Sequence, residues 1–182
     1  MIEGDQESGQ VPPAVGQILP DLWLPDHNGA ERSLSELIGG DPTILQTFRG
    51  PWCPKEQRFF RRLLELQDEM EVAYSRLISV SVDPPNVNRT LRTAIGARWV
   101  FLSDEPRSTQ AQLGLREWTD TVHDPYLPAV FVLRPDRTVH SAYNGYWYWG
   151  RPTVEELILD LRTVSMEVRG DWDPPRRTPG RG

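Results

Sequence analysis

The chain has 182 residues, with Lys+Arg 20 against Asp+Glu 26 and a formal net charge of −6. That suits one domain with tails and argues against a phosphate-neutralising nucleic-acid surface. Hydrophobic residues make up 38 %, enough for a sizeable core, and the single cysteine excludes an internal disulfide framework. The acidic start, Met1 to Glu7, lacks the apolar core of a signal peptide. No apolar run approaches the roughly 20 residues that cross a bilayer, so the expectation is a cytoplasmic protein with no membrane partner.

In chain order, residues 1–13 are polar, close on Pro12-Pro13 and read as a disordered lead. Leu22-Trp23-Leu24 and Glu31-Arg32-Ser33 flank an Asn28-Gly29 turn and predict a hairpin. Ser33 or Ser35 caps a short helix that stops at Gly39-Gly40. The apolar run from Pro42 to Phe48 predicts the first central strand. Pro54 to about Tyr74 predicts a helix whose buried face carries Phe59, Leu63, Leu66, Met70 and Ala73.

A second strand falls at Leu77–Val82, a helix at about Val87–Ile95, a short strand at Trp99–Leu102 and a helix end at Gln110–Leu115. Ala129–Leu133 and Thr138–Tyr143 form a second hairpin. The last helix, about Pro152 to Val164, turns Leu157, Ile158, Leu161 and Val164 inward, and Thr153 and Glu156 have capping-box spacing. The domain is expected over residues 14–166, with a Pro/Arg/Gly-rich tail over 167–182 in which Trp172 rests on the domain. The order is that of an α/β fold, a crossover-built sheet extended by an antiparallel hairpin.

Cys53 closes a strand-to-helix junction, where free backbone N–H groups and the helix dipole favour an anion, and so a reactive thiolate. The bland alternative is a small buried hydrophobe. Arg49 either stabilises such a thiolate or pairs with a carboxylate such as Glu56. Glu56 either accepts a proton or favours the helix N-terminus, and a carboxylate there opposes the dipole. Trp52 shields the thiol. His27, His123 and His140 lack ligand spacing, so neither a metal nor a cofactor is expected. His123, five residues before Pro128, either approaches the site or is a loop residue, and the loop reading is the simpler. The aromatic run Tyr143 to Pro152 is either a plug between the last hairpin and helix or a surface for a substrate or a second subunit.

Three segments resemble the redoxins, the thioredoxin-fold family that includes the alkyl hydroperoxide reductase and thiol-specific antioxidant peroxiredoxins. They are Gly16–Leu22 with Leu24-x-Asp26-x-Asn28-Gly29, Phe48-Arg49-Gly50-Pro51-Trp52-Cys53-Pro54, and Pro128–Leu133 with Pro135-Asp136. The resemblance spans about Val15 to Val164. It implies a thioredoxin-like central mixed sheet flanked by helices, with an N-terminal β-hairpin.

It also implies a one-cysteine peroxidase. Cys53 and Arg49 act on a hydroperoxide, Trp52, Pro54, Glu56 and Pro128 line the site, and Pro128 is cis. An external thiol, either a thioredoxin-like protein or a low-molecular-weight thiol, recycles the cysteine, and a homodimer is expected. The sequence departs from the family pattern at Gln46 and Gly50, where a Pro and a Thr or Ser usually stand. It also departs at Pro128, where an arginine is usual, and at Glu56, where a W-C-x-x-C pair has its second thiol. A dithiol cycle within one chain is therefore excluded. The alternatives are a monothiol thioredoxin-like protein and a redoxin scaffold that acts by protein binding.

Overall fold

Short apolar runs alternating with amphipathic segments generate an α/β domain whose sheet is covered on both faces, seen in a computed structural model that describes residues 11–173. The expected lead (1–13) and tail (167–182) lie mostly outside the described residues. In chain order the elements are β1 (Trp23–Pro25), β2 (Glu31–Ser33), α1 (Leu34–Ile38), β3 (Thr43–Thr47), α2 (Pro54–Val72), β4 (Arg76–Ser81) and α3 (Pro85–Ile95). There follow β5 (Val100–Ser103), α4 (Ser108–Gln112), β6 (Ala129–Leu133), β7 (Val139–Asn144), a 3-10 turn at Tyr148–Gly150, and α5 (Val154–Val168). No helix among the described residues is long and apolar enough to cross a membrane.

The five-stranded sheet has the order β5-β4-β3-β6-β7. β3, β4 and β5 run parallel, β6 is antiparallel beside β3, and β7 pairs antiparallel with β6 at the edge. β3 is central and buried at all five positions, the polar Thr43, Gln46 and Thr47 as well as Ile44 and Leu45, because the sheet is covered on both faces. Its side chains still alternate in direction. Leu45 joins Leu24, Leu34, Ile78 and Phe131 under the N-terminal hairpin and α1. Ile44 joins Phe59, Leu63, Val132 and Leu157 under α2 and α5.

The caps follow local chemistry. Ser33 caps α1 by accepting from the Glu36 N–H, and α1 ends on Gly39 at a positive φ. In the hairpin turn, Asp26 Oδ1 accepts from the N–H groups of Asn28 and Ala30, and Gly29 takes φ +86°. Thr153 and Glu156 form the full capping box of α5, an arrangement whose capping contact contributes about 1 kcal/mol.

Two helical faces differ from expectation. Ala73 is the exposed C-cap of α2, and the residue that adds to its buried face is Phe60. Ile158 lies at the edge of the α5 stripe and stays partly exposed. α5 also continues to Val168, beyond the expected end of the domain. Trp172 rests on α5 with the Arg162 guanidinium 5.6 Å from its ring.

Candidate active site

The end of β3 and the start of α2 are joined by Phe48 to Cys53, and this turn fixes the thiol. Cys53 is the N-cap of α2, free, and only 2 % exposed. Pro54 occupies the first helical position, where its missing N–H costs nothing. The N–H groups of Glu56 and Gln57 both donate to the Cys53 carbonyl. The expected fan of free amides around the sulfur is therefore reduced, and the helix dipole remains.

Glu56 is fully buried one turn into α2. Its Oε2 accepts from Arg151 Nη1 at 2.7 Å, and its Oε1 accepts from Arg151 Nη2 at 2.9 Å. Oε1 also accepts from the Arg49 backbone N–H at 3.3 Å. Both oxygens are thus occupied, which removes Glu56 as a proton acceptor and offsets the charge that opposes the dipole. Arg151 is itself buried between the 3-10 turn and α5. Its guanidinium lies 5.3 Å from the Phe59 ring and its Nη1 reaches the Lys55 carbonyl at 3.5 Å.

The Arg49 side chain pairs with other carboxylates than Glu56. Its Nη2 donates to Asp120 Oδ2 at 2.7 Å and lies 3.0 Å from Glu117 Oε2. The guanidinium stands 4.8 Å from the Trp52 ring. Trp52 is 41 % exposed and stacks on His123 at 3.9 Å, while His123 Nδ1 contacts Asp120 Oδ2 at 2.9 Å. His123 is thus a turn residue that also reaches the site through Trp52, so both of its readings hold. The His123 N–H and ring, with the Val122 N–H, hold the Asp120 carboxyl down to about 2.

The sequence departures have physical partners. A Cβ on Gly50, which has φ +150°, would sit 2.5 Å from Trp52 Nε1. A threonine or serine is excluded there while the indole keeps its place. Gln46 turns into a buried polar relay, accepting from Ser79 Oγ, which in turn accepts from Trp99 Nε1.

The expected cis bond at Pro128 is corrected, since every peptide bond among the described residues is trans. Thr47 Oγ1 donates to the Leu127 carbonyl and accepts from the Ala129 N–H, so the backbone on both sides of Pro128 is tied to β3. The Pro128 carbonyl accepts from the Gly145 N–H.

Sequence reasoning missed Arg151, Glu117, Asp120 and Thr47. Arg151 lies inside the aromatic run that was singled out, but nothing in its spacing points to Glu56. Trp147 and Trp149 of that run are 74 % and 89 % exposed, so the plug reading fails for both. A cavity of about 110 Å³ opens beside the α2 N-terminus, bounded by Arg49, Lys55, Arg151, Pro128, Tyr146 and Trp147 together with Glu117 and Thr119. Two larger clefts of about 410 Å³ each include none of Arg49, Cys53 and Glu56. No three His, Cys, Asp or Glu side chains gather among the described residues in a way that could hold a metal ion.

A family model described as the AhpC/TSA family matches residues 15–142. A curated Mycobacterium tuberculosis protein, provisionally named a peroxiredoxin in two strains, is 30 % identical over 128 residues, covering 69 % of this chain and 81 % of that one. Among solved structures, peroxidoxin BcpB from Mycobacterium tuberculosis superposes with a TM-score of 0.71 at 21 % identity, covering 86 % of this chain and 98 % of that one. A peroxiredoxin-like protein from Aquifex aeolicus gives 0.74 at 14 % identity, covering 86 % and 90 %. At such identities the structural matches establish the thioredoxin-like fold.

Proposed function

The chain belongs to the AhpC/TSA family, and on that premise we propose that it is a one-cysteine thiol peroxidase acting through Cys53. The observation that carries this is the placement of the chain's single cysteine as the free N-cap of α2, between the Arg49 and Glu56–Arg151 ion pairs.

In the reaction, the Cys53 thiolate attacks the distal oxygen of ROOH. An S–O bond forms as the O–O bond breaks, and the departing RO⁻ takes up a proton to leave as ROH. The sulfur is oxidised by two electrons to a sulfenic acid. An external thiol then displaces the hydroxyl as water to give a mixed disulfide, and a second thiol releases Cys53 and the external disulfide. With no second cysteine in the chain, both reducing thiols come from outside.

Arg49 orients the peroxide through its guanidinium, which Asp120 and Glu117 hold in place and which is partly exposed. Trp52 covers the thiol, and Glu56 with Arg151 fixes the first turn on which Cys53 sits. The near-complete burial of Cys53 favours a small peroxide over a bulky disulfide as its first reactant, which weighs against the monothiol-reductase reading. A lone free thiol suits a reducing compartment such as the cytoplasm. The exposed Trp147 and Trp149 supply the contact surface of a homodimer.

Stopped-flow mixing with hydrogen peroxide tests the reading. Cys53 is expected to be oxidised far faster than free cysteine, with no reaction in Cys53→Ser. A Cys53 that reacts no faster than free cysteine ends the proposal.

A further inference from the structure

Cys53 is 2 % exposed, so no reagent reaches its sulfur unless a neighbour moves. The adjoining Trp52 is open to solvent over 41 % of its surface. Packing holds its indole in place. The His123 ring stacks on it at 3.9 Å with the planes 20° apart, and the Arg49 guanidinium lies 4.8 Å from its centre. Gly50 leaves room for the ring, since a Cβ there would meet the indole nitrogen at 2.5 Å.

One carboxylate governs both contacts. Asp120 Oδ2 accepts from Arg49 Nη2 at 2.7 Å and meets His123 Nδ1 at 2.9 Å, while Oδ1 accepts from the N–H groups of Val122 and His123. The turn is anchored in its own right, with Arg107 Nη2 donating to the His123 carbonyl and Gln110 Nε2 to the Asp124 carbonyl. Of the two groups against the indole, only the imidazole changes its charge near neutral pH. Its side chain is 45 % exposed, so protons reach it freely. The charged groups around it are Asp120 on the same turn, Asp83 just beyond β4, Arg107 at the N-cap of α4, and Arg49 after β3.

We propose that Trp52 is a hinged cover over Cys53 and that His123 is its latch, a positioning residue that holds the indole shut when protonated and releases it when neutral. The imidazolium makes a charge-assisted hydrogen bond to Asp120 and sets a cation against the indole face. Both attractions weaken when the proton leaves. Access to the sulfur therefore rises with pH separately from the rise in thiolate. The latch is a control on the peroxidase reading above and rests on that reading for the peroxide alone, because a cover limits every reagent of the thiol.

Alkylation of Cys53 by iodoacetamide measures access without a peroxide. His123→Phe can stack on the indole but carries no charge and cannot pair with Asp120. Its alkylation rate, divided by that of the native chain, is expected to be about ten near pH 5 and about one near pH 8. An imidazolium acting on the thiol by charge alone would favour the thiolate, so its loss would slow alkylation at low pH. A ratio of one or less near pH 5 thus overturns the latch. Trp52→Ala removes the cover, and in that background His123→Phe is expected to change nothing. An effect that persists there does not act through Trp52 and also overturns the latch. The emission of Trp52, taken as the difference from Trp52→Phe, is expected to change over the same pH range in the native chain and to stay flat in His123→Phe. A flat signal in the native chain counts against the latch.

Hydrogen peroxide then replaces iodoacetamide, and His123→Phe is expected to speed oxidation with the same pH dependence. A latch seen with iodoacetamide, with no variant oxidised faster than free cysteine, refutes the peroxidase reading and leaves the latch standing. Fast oxidation of Cys53 with an alkylation ratio near one at every pH refutes the latch and leaves the peroxidase reading intact.

Discussion

Arg151 and Glu56 lie 95 residues apart in the chain and meet as a two-pronged ion pair, with 2 % and 0 % of their side chains exposed. The pair ties the loop before α5 to the first turn of α2, the turn that Cys53 caps. Two charges removed from water together are tolerable, whereas one left alone is not.

Arg151→Met leaves the Glu56 carboxylate buried without its partner and is expected to cost about 3–5 kcal/mol of folding stability. The double variant Glu56→Gln with Arg151→Met should recover a large part of that loss. Urea unfolding of the singles and the double measures the coupling. Strictly additive costs would show that the pair does not act as a unit.

Gly50→Ala is expected to push the Trp52 indole off His123, because the new Cβ would meet Trp52 Nε1 at 2.5 Å. The positive φ adds a backbone cost of about 1–3 kcal/mol. A shift in the fluorescence contributed by Trp52, read against Trp52→Phe, reports the displacement. An unchanged Trp52 signal in a folded Gly50→Ala protein would contradict it.

Asp120 gives a pH signature. The backbone N–H of His123, the largest cause, lowers its carboxyl to about 2. A carboxyl depressed in the folded state adds stability above its unfolded value of about 3.9 and loses it as pH falls through about 2. The stability difference between the native chain and Asp120→Asn should therefore be constant above about pH 5 and close toward zero near pH 2. A gap that does not change over this range rules out the assignment.

Trp147 and Trp149 carry the prediction about assembly. If their exposed rings form the homodimer contact, the native chain sediments as a dimer and Trp147→Ala with Trp149→Ala sediments as a monomer. A native chain that stays monomeric at high concentration removes the dimer.

What the sequence determined by itself is the part governed by local physics. The 3.6-residue stripe of α2, the buried run of β3, the Ser33 and Thr153 caps and the turn at Gly29 each depend on neighbours within a few residues. So does the placement of Cys53 at a strand-to-helix junction, which made it legible before any contact was known. Boundaries moved by two to four residues where an exposed end, such as Ala73 or Val168, has little packing to fix it.

What only the tertiary structure decided is pairing across the chain. Whether Arg49 meets Glu56 or instead Glu117 and Asp120, and whether Glu56 is a base or one half of a buried ion pair, depends on which loops the sheet order brings to the carboxyl end of β3. The Pro128 bond is likewise held by the distant Thr47 hydroxyl rather than by its sequence neighbours. Long charged side chains reach across gaps that periodicity cannot measure, and their partners are chosen by burial and by the need to satisfy every enclosed charge.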